Sequence, residues 1–552
     1  MDETAAPVPA VLPQPRRLTT RPGTWRLRPE ATLFATSDSR ADAGPGPAGG
    51  PAAADDATAG PARTARRLLG TATGYPLPPG GQDADIQLRL DPAFDAPSSE
   101  SYRLDVSPER AVITAGGPAG LVHGVQTLRQ LLPTDIFRPA VVRGVPWEAP
   151  CVEIEDSPRF AWRGAHLDVS RHFLPADAVR RFVDLLALHK LNVLHLHLTD
   201  DQGWRFPSDA YPRLCDVGSW RRGTAVGWRG GDGLEETPHG GFYTKAELVD
   251  LVAYAADLGV TVMPEIEFPG HTQAVLAAYP EFGNGTGPYE VRTTWGIATQ
   301  VLNLQPDTLE FCRTVLGEVM DIFPSPYIHV GGDEVPKDEW RASPLVQDRK
   351  RELGLADEDQ LQHWFTSQLN AFLVAAGRRM VGWDEILEGG EPPEGCVVMS
   401  WRGIKGGIQA AKAGRDVVMC PYRPVYLDYY QSDRADEPLA IGGGNTLEDI
   451  CAFEPVPDEL GADAATRVLG SQVQLWSEYL PDRAAYDYMA FPRTTALADV
   501  LWHGGPDAAA RLALIAGHLP RLDALGVNYR PLQGPLPWQQ GGSGRRRRPP
   551  TD

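Results

Sequence analysis

Hydrophobic and polar positions follow two different patterns on either side of Pro158. Before it, short runs that alternate between apolar and polar residues, as half-buried strands do, surround one helical run at residues 121–132. The strand-like runs lie at residues 24–35, 85–90, 101–106 and 111–115. This pattern predicts a small α+β domain over residues 12–157.

After Pro158 the chain alternates between short apolar runs and longer helical patterns, which is typical of repeated βα units. Eight apolar runs are candidate strands, at residues 164–169, 193–198, 260–266, 327–330, 380–383, 397–401, 417–420 and 471–476. Helical patterns between them include residues 176–190, 245–258, 307–322 and 359–376. They predict an α/β protein whose parallel strands close into a (β/α)8 TIM barrel over residues 158–505. The alternative, an open doubly wound sheet, favours a glycine-rich phosphate turn between an early strand and a helix, which the sequence lacks.

The remaining segments lie outside these two patterns. Residues 41–62 are almost all Ala, Gly and Pro, a composition that predicts a flexible loop. Residues 1–11 and the tail 541–552, which carries the arginines 545–548, are predicted to be disordered. Within residues 506–540, an amphipathic run predicts a C-terminal helix that packs on the barrel.

The charge of the chain and its lack of long apolar runs exclude some classes of partner. A formal charge of −20 over 552 residues disfavours binding to nucleic acid or to an anionic membrane. No apolar run approaches the roughly 18 residues of a membrane span, and the first residues do not resemble a leader peptide. We therefore expect a cytoplasmic protein with neither nucleic-acid nor membrane partners, and make no prediction of its oligomeric state. The six cysteines contain no C-x-x-C pair, so neither a disulfide framework nor a zinc site is predicted.

Polar and aromatic side chains lie at or just past the carboxyl end of every predicted barrel strand, where barrel enzymes carry their chemistry. In strand order, these residues are Ser170, Arg171 and His172; Asp200 and Asp201; Glu265, Glu267 and His271; Asp333 and Glu334; Trp383, Asp384 and Glu385; Trp401; Tyr426 and Asp428; Trp476 and Glu478. Carboxylates and an arginine bind hydroxyl groups, and indole faces cover the apolar side of a sugar ring. The set predicts a pocket for a neutral, hydroxyl-rich ligand. In the alternative interpretation, each residue caps a helix or pairs with its neighbour.

Asp333 and Glu334 are adjacent carboxylates that follow two glycines, Gly331 and Gly332. Neighbouring side chains on a regular strand face opposite ways, so both can serve one site only where the strand has ended. Two carboxyl groups held close together favour one protonated acid beside one ionised base. Cleavage of a glycosidic bond requires this division of roles.

His195 and His197 are spaced so that both imidazoles face the same side of a strand. They could form the start of a hydrolytic metal site, and a metal-dependent hydrolase remains one alternative. Such a centre needs further His or Lys ligands after the later strands, which end in Trp, Asp, Tyr and Glu. We therefore predict no metal and expect inward-facing histidines hydrogen-bonded among the acids.

Six motifs, in the same order, closely resemble those of the family-20 glycoside hydrolases, the β-N-acetylhexosaminidases. They are LDVSRHF at 167–173, HLHLTDDQGW at 195–204, PEIEFPGH at 264–271, HVGGDE at 329–334, VGW at 381–383 and LWSE at 475–478. The resemblance covers residues 158–505, and the preceding α+β domain resembles the noncatalytic domain of that family. It implies a TIM barrel enzyme that uses no cofactor.

The resemblance implies a retaining, substrate-assisted exo-glycosidase that removes terminal β-linked N-acetylglucosamine or N-acetylgalactosamine from a glycan. The nucleophile is the sugar's own 2-acetamido oxygen, which closes onto the anomeric carbon as an oxazolinium ion. Glu334 is implied as the general acid and base, Asp333 as the group that orients the acetamido N–H, and Tyr426 as the donor to the acetamido oxygen. A catalytically inactive carbohydrate-binding protein of the same fold is the alternative from a different class.

The other implied residues surround the terminal sugar. By role, they are Trp383, Trp401 and Trp476 as walls of the acetamido pocket; Arg171, Asp200 and Glu478 as partners of the 3-, 4- and 6-hydroxyls; His271 and Asp428 beside the bound ring; and Glu267 as support for the catalytic acids.

Overall fold

The computed structural model of the protein describes residues 9–37, 52–505 and 507–540. Its first domain contains a six-stranded sheet in the order β1-β6-β4-β5-β3-β2. The strands are β1 (Arg17–Arg26), β2 (Leu33–Ser37), β3 (Ile86–Leu90), β4 (Tyr102–Val106), β5 (Ala111–Ala115) and β6 (Glu148–Asp156). β2, β3 and β5 are parallel, and the other pairs are antiparallel. The single strand predicted at residues 24–35 is wrong, because β1 ends and β2 begins within it, and the sequence pattern missed β6.

Two helices, α1 (Ala52–Thr73) and α2 (Pro118–Leu131), pack against this sheet. The flexible loop predicted over residues 41–62 is wrong for residues 52–62, which form the first half of α1; residues 41–51 lie outside the described residues. The physical reason is the alanine content of this segment, since alanine is the best helix former. Thr58, Ala62 and Leu69 are buried along α1, so tertiary packing adds to that propensity.

The second domain is a closed barrel of eight parallel strands, as predicted. They are β7 (Trp162–Asp168), β8 (Val193–His197), β9 (Thr261–Glu265), β10 (Tyr327–His329), β11 (Arg379–Trp383), β12 (Val397–Ser400), β13 (Asp416–Met419) and β14 (Val468–Val473). β14 pairs with β7 and closes the barrel. All seven residues of β7 and all five of β8 are buried, because parallel barrel strands are covered on both faces.

Helices cover the outside of the barrel. The longer ones are α3 (Ala176–Leu188), α4 (Lys245–Asp257), α5 (Pro306–Ile322), α6 (Glu358–Ala375), α7 (Lys405–Lys412), α8 (Arg483–Ala490), α9 (Arg493–Trp502) and α10 (Ala508–Ala524). Shorter helices lie at Arg213–Asp216, Gln273–Ala278, Asp338–Ala342, Pro344–Glu352, Tyr422–Val425, Leu447–Cys451 and Ala462–Ala465. Between β11 and β12, a single 3-10 turn at Asp384–Leu387 takes the place of a helix. α10 begins within the predicted C-terminal segment and contacts α9 of the barrel.

The long connection after β8 forms three two-residue ladders instead of a simple loop. They are Thr199–Asp200 with Gly203–Trp204, Trp220–Arg221 with His239–Gly240, and Thr224–Ala225 with Leu234–Glu235. Its tip crosses to the loops after β13 and β14. Trp228 Nε1 donates to the Ile441 carbonyl at 3.1 Å, and the Arg229 N–H donates to Tyr479 Oη at 2.9 Å.

The two domains are joined by a buried ionic cluster. Asp156 of β6 accepts hydrogen bonds from Lys190 Nζ at 2.8 Å, Tyr102 Oη at 2.7 Å and Trp502 Nε1 at 2.8 Å. The side chains of Lys190 and Asp156 are fully buried. Because Lys190 and Trp502 belong to the barrel, the cluster fixes the first domain against it.

The chain ends were predicted to be disordered. Residues 1–8 and 541–552 lie outside the described residues, whereas Val11, within the predicted disordered segment, is buried in the core of the first domain. All six cysteines are buried and unpaired. None of the helices in the described part of the chain combines the length and the apolar character that a membrane crossing requires.

Candidate active site

The carboxyl ends of β8, β9 and β10 lie level and bring Glu265 into the centre of the barrel mouth. The strand register pairs Glu265 with both His197 and His329. Glu265 Oε1 accepts from Trp383 Nε1 at 2.9 Å and lies 2.7 Å from His329 Nδ1. Although burial opposes its charge, the neighbouring histidines hold the pKa of Glu265 well below its usual range. Glu265 is therefore a buried anion.

His195 and His197, the pair of the metal-hydrolase alternative, both contact this anion. His195 Nε2 lies 3.0 Å from Glu265 Oε2, and Gln472 Nε2 donates to His195 Nδ1 at 2.9 Å. Although burial opposes its charge, Glu265 and Asp200 raise the pKa of His197 to about 10. Both imidazoles therefore face inward and contact the buried acid, as the sequence predicts.

A turn with left-handed backbone follows β10 and presents the carboxylate pair. Gly331, Gly332 and Glu334 have φ values of 69°, 97° and 49°. A side chain on Gly331 is impossible without a shift, because its Cβ would lie 1.7 Å from Glu267 Oε2. The glycines therefore let the chain turn closely over Glu267.

Asp333 and Glu334 converge on one imidazole. Asp333 Oδ2 and Glu334 Oε2 each lie 3.5 Å from His271 Nε2. The Asp333 side chain is 12% exposed and that of Glu334 is 34% exposed. One carboxylate is therefore enclosed and the other is open to an incoming group.

The charges around this pair alter the pKa values of Asp333 and His271. Burial raises the pKa of Asp333 to about 6; the His271 cation opposes this shift and the Glu334 carboxylate adds to it. His271 Nδ1 lies 3.3 Å from oxygens of both Asp200 and Asp201. Although burial opposes its charge, these carboxylates raise the pKa of His271 well above its usual value. His271 is therefore a cation at neutral pH, which favours ionised Asp333.

Glu267, predicted to support the acids, lies beneath the turn. Burial raises its pKa well above the usual value, and the nearby Asp333 and Glu265 raise it further. Neither of its carboxyl oxygens has a hydrogen-bond partner within the described part of the chain. Glu267 supports the turn by packing against Gly331.

Arg171 follows β7 and is held by several acceptors. Its Nη2 lies 2.6 Å from Asp200 Oδ2 and its Nη1 donates to Asp168 Oδ2 at 3.1 Å. Nε donates to Gln202 Oε1 at 2.9 Å. The guanidinium also lies over the ring of Trp476, 5.0 Å from its centroid. This arrangement fixes a cation and a carboxylate side by side, as recognition of a diol requires.

Aromatic rings form a continuous wall from β11 to β14. The ring centroids of Trp383 and Trp476 are 5.9 Å apart, those of Trp476 and Tyr426 are 6.3 Å apart, and those of Tyr426 and Trp401 are 6.2 Å apart. Trp401 is anchored by Nε1, which donates to Glu385 Oε2 at 2.9 Å. Burial raises the pKa of the Tyr426 phenol well above its usual value, so it remains a hydrogen-bond donor.

Asp428 and Glu478 lie two residues beyond Tyr426 and Trp476 of the wall and keep acceptors available. Asp428 Oδ1 and Glu478 Oε2 are buried and have no hydrogen-bond partner among residues 9–37, 52–505 and 507–540. Burial raises the pKa of Asp428, and the Glu478 carboxylate raises it further. Two acceptors without partners in a buried pocket are typical of a site for ligand hydroxyls.

The structure brings every predicted site residue to this end of the barrel. The sequence identifies Asp201 and Glu265 as strand-end residues without a role, and it does not single out His329 or Asp168. The period-two spacing of His195 and His197 shows that they share one face of a strand. It does not show which carboxylate of another strand they contact.

Two carboxylates of unequal exposure beside a tryptophan-lined wall, at the mouth of an eight-stranded barrel, are typical of a glycoside hydrolase. Residues 160–505 match the model of the glycosyl hydrolase family 20 catalytic domain, and residues 8–157 match domain 2 of that family. The chain belongs to glycosyl hydrolase family 20.

Two relatives are similar to this chain in sequence. A beta-hexosaminidase of Porphyromonas gingivalis is 44% identical over 80% of this chain and 56% of its own length, so the match spans little more than half of that relative. A beta-N-acetylhexosaminidase of Cellulomonas fimi is 34% identical over 84% of this chain and 87% of its own length.

Among solved structures, the beta-N-acetylhexosaminidase from Streptomyces coelicolor A3(2) has a TM-score of 0.79 at 34% identity, covering 96% of this chain and 99% of its own. A mutant Streptomyces plicatus beta-hexosaminidase in complex with the product GlcNAc has a TM-score of 0.79 at 33% identity, covering 96% of this chain and 98% of its own.

Proposed function

We propose that this protein is a retaining exo-β-N-acetylhexosaminidase that removes terminal β-linked N-acetylglucosamine or N-acetylgalactosamine by substrate-assisted catalysis. The proposal rests on the pair Asp333 and Glu334. Both carboxylates lie beside the His271 imidazole, but the Asp333 side chain is more buried than that of Glu334. The names of the relatives support the same activity.

Glu334 is the general acid and base of the proposed reaction. It donates its proton to the leaving oxygen as the anomeric C–O bond breaks, and then takes a proton from the water that opens the cyclic intermediate. Its greater exposure suits this role, because both the leaving group and the water must reach it. The enzyme contributes no carboxylate nucleophile, since the 2-acetamido oxygen of the substrate forms the bond to the anomeric carbon.

Asp333 and Tyr426 position that internal nucleophile. The Asp333 carboxylate accepts from the acetamido N–H and stabilises the positive charge that develops on the oxazolinium ring. Tyr426 donates to the acetamido oxygen, and the walls of Trp383, Trp401 and Trp476 exclude water. Fixing the reacting atoms in this geometry contributes about 7–11 kcal/mol at most to lowering the barrier.

Arg171, Asp200 and Glu478 bind the hydroxyl groups at the far side of the terminal sugar. Arg171 supplies donors, whereas the buried oxygen of Glu478 supplies an acceptor. Because these groups bind the terminal sugar itself, cleavage takes place at its own glycosidic bond and the enzyme acts from the chain end.

Two substrates that differ in their leaving groups test the role of Glu334. We expect Glu334→Gln to lower kcat/KM about 10²–10⁴-fold on a glycoside with a poor leaving group, and much less on an activated aryl glycoside. Glu388→Gln, an exposed carboxylate on the same side of the barrel that pairs with Arg402, serves as the matched control and should leave both rates unchanged. Equal losses on both substrates for Glu334→Gln would contradict the acid role.

A second comparison tests the internal nucleophile. Removing the 2-acetamido group from an aryl glycoside should abolish turnover, and equal turnover of both glycosides would rule out substrate assistance. A protein that binds the sugar but cleaves neither substrate would instead support the carbohydrate-binding alternative.

A further inference from the structure

The turn that carries Asp333 and Glu334 is held from behind by a side chain of α6. Gln362 of that helix is 6% exposed, and its Nε2 donates to the carbonyl oxygen of Gly332 at 2.7 Å. This carbonyl and the Asp333 N–H belong to one planar peptide group. The hydrogen bond therefore fixes the orientation of the peptide group that leads into the two carboxylates.

Lys337 holds the other end of the turn. Its Nζ donates to the carbonyl oxygen of Val335 at 3.1 Å and also to Oε1 of Gln362. The Lys337 side chain is only 11% exposed, so these hydrogen bonds are largely shielded from water. Because Gly332 and Val335 come directly before and directly after the two carboxylates, both carboxylates lie between anchored peptide groups.

The chemistry of its two partners fixes the orientation of the Gln362 amide. An ammonium group only donates and a carbonyl oxygen only accepts, so Oε1 must face Lys337 and Nε2 must face Gly332. Turning the amide over would set two donors against each other at one end and two acceptors at the other. An ionised glutamate at this position would satisfy Lys337 but would place a second oxygen against the Gly332 carbonyl. The site therefore requires an amide.

The turn needs this support because its backbone is unfavourable at Glu334. The φ of Glu334 is 49°, in the left-handed region that a residue with a Cβ atom disfavours. Backbone strain of this kind persists only where the surroundings hold the chain in place. Glu267 packs against Gly331 at the start of the turn, and Gln362 and Lys337 hold the part that follows. Without them, the backbone would relax and move the Glu334 carboxyl group.

Resting on the proposed function, we infer that Gln362 is a positioning residue for the catalytic acid and that Lys337 orients its amide. Gln362 acts through the Gly332 carbonyl on the placement of Asp333 and Glu334, and not on the sugar itself. The proton of Glu334 is thereby held in the geometry that its transfer to the leaving oxygen requires. A helix on the outside of the barrel thus takes part in setting the catalytic geometry.

Gln362→Met tests this inference, because it keeps the length of the side chain and removes both hydrogen-bonding groups. A displacement of about 1 Å at reacting groups costs about 10²-fold in rate, so kcat should fall about 10- to 100-fold on a glycoside with a poor leaving group. KM should change less than about threefold, since the partners of the sugar hydroxyls are untouched. On an activated aryl glycoside, which depends less on protonation by Glu334, the loss should be several-fold smaller.

Gln362→Glu separates positioning from folding. The carboxylate still accepts from Lys337, so this variant should unfold at a higher denaturant concentration than Gln362→Met, which leaves the ammonium group without that acceptor. It has no donor for the Gly332 carbonyl, so its kcat should be no higher than that of Gln362→Met. A higher kcat in the more stable variant would show that activity follows stability, and would overturn the inference.

Asn370→Asp is the matched control on the same helix. Asn370 is 7% exposed and its Nδ2 donates to the carbonyl of Glu394 at 3.1 Å, so this change also removes a buried amide donor from a backbone carbonyl, but outside the catalytic turn. It should lower the denaturant midpoint and leave kcat on both substrates unchanged. A loss with the same leaving-group dependence as in Gln362→Met would show that general destabilisation is the cause, and the positioning role would be wrong.

Lys337→Met tests the orienting role of the ammonium group. It should lower kcat with the same leaving-group dependence, and the double variant with Gln362→Met should lose less than the product of the two single losses. Losses that multiply fully would show that the two residues act independently, against the role assigned to Lys337. If the native protein cleaves both glycosides and Gln362→Met behaves like it, only this inference fails. If the native protein cleaves neither, the proposed function itself fails.

Discussion

Glu267 lies directly beneath Gly331, at a distance that leaves no room for a Cβ atom. Its Oε2 would be 1.7 Å from such an atom, and Glu267 is only 1% exposed, so it cannot move aside into solvent. Since Asp333 and Glu334 follow this turn, their positions depend on the missing side chain.

Gly331→Ala should therefore misplace the catalytic pair. We expect kcat/KM to fall about 10²-fold, because a displacement of about 1 Å at the reacting groups has an effect of that size. The left-handed backbone adds a loss of roughly 1–2 kcal/mol in the free energy of unfolding. Steady-state kinetics and denaturant unfolding measure the two effects.

Gly317→Ala in α5 is the matched control. Gly317 lies inside this helix. A Cβ atom added there would have open space around it, with no atom of the other described residues within 4 Å. Alanine there should raise the free energy of unfolding by roughly 0.5–1 kcal/mol and leave activity unchanged. Comparable activity losses in both variants would show that the turn at Gly331 has no special role.

The pH profile should report the ionisation of Asp333. Its pKa is raised to about 6, and its role in orienting the acetamido group requires the charged form. As the pH falls through this value Asp333 gains a proton, so kcat/KM should decline towards tenfold per pH unit below about 6.

His271→Gln should move that acidic limb to higher pH. The His271 cation favours ionised Asp333, and its removal raises the pKa of Asp333 further. His363→Gln removes a partly buried histidine of α6 and should leave the midpoint unchanged. A midpoint that is the same in His271→Gln and the native enzyme would contradict this electrostatic link.

Tyr426→Phe should lower kcat about 10²–10³-fold, as expected for the loss of one preorganised donor to a developing charge. The ring remains, so its contacts with Trp401 and Trp476 persist and folding should be unaffected. Tyr429→Phe changes the neighbouring phenol, 6.2 Å away between ring centroids, and should have little effect. Similar kinetics for the two variants would contradict the role of Tyr426.

Glu100→Gln should weaken the contact between the domains. Both oxygens of Glu100 accept from the guanidinium of Arg163 at 2.8 Å, and Arg163 is fully buried. Leaving that cation without its carboxylate should cost about 3 kcal/mol in the free energy of unfolding near pH 7. Glu155→Gln, which breaks an exposed pair with Arg17, should cost less than about 1 kcal/mol.

The effect of Glu100→Gln should depend on pH. Although burial opposes its charge, Arg163 lowers the pKa of Glu100 far below its usual range. A lowered pKa means that the carboxylate stabilises the fold above its unfolded pKa of about 4.3 and loses this effect as the pH falls. The difference between native protein and variant should therefore narrow below about pH 4 in denaturant titrations.

The barrel could be predicted because its information is local. The apolar run at residues 193–198 and the strand Val193–His197 nearly coincide, since a strand buried on both faces leaves a continuous hydrophobic stretch. Asp333 and Glu334 could be found for a similar reason, because the two glycines before them mark the end of a strand.

Long-range contacts could not be predicted in the same way. Arg229 reaches Tyr479 across 250 positions of sequence, and no local pattern encodes that meeting. Residues 52–62 differ from the prediction for another reason. Low hydrophobicity is typical of a flexible loop, but an alanine-rich helix needs only one buried face.

The buried lysine at the domain junction bears on how far this enzyme can be shortened. Lys190 belongs to the barrel, but its counter-ion Asp156 and its hydrogen-bond acceptor Tyr102 come from the first domain. A barrel truncated before Pro158 would expose Lys190 and the apolar ring of Trp502 to water. We therefore expect a minimal enzyme that lacks the first domain to be less stable than the intact chain.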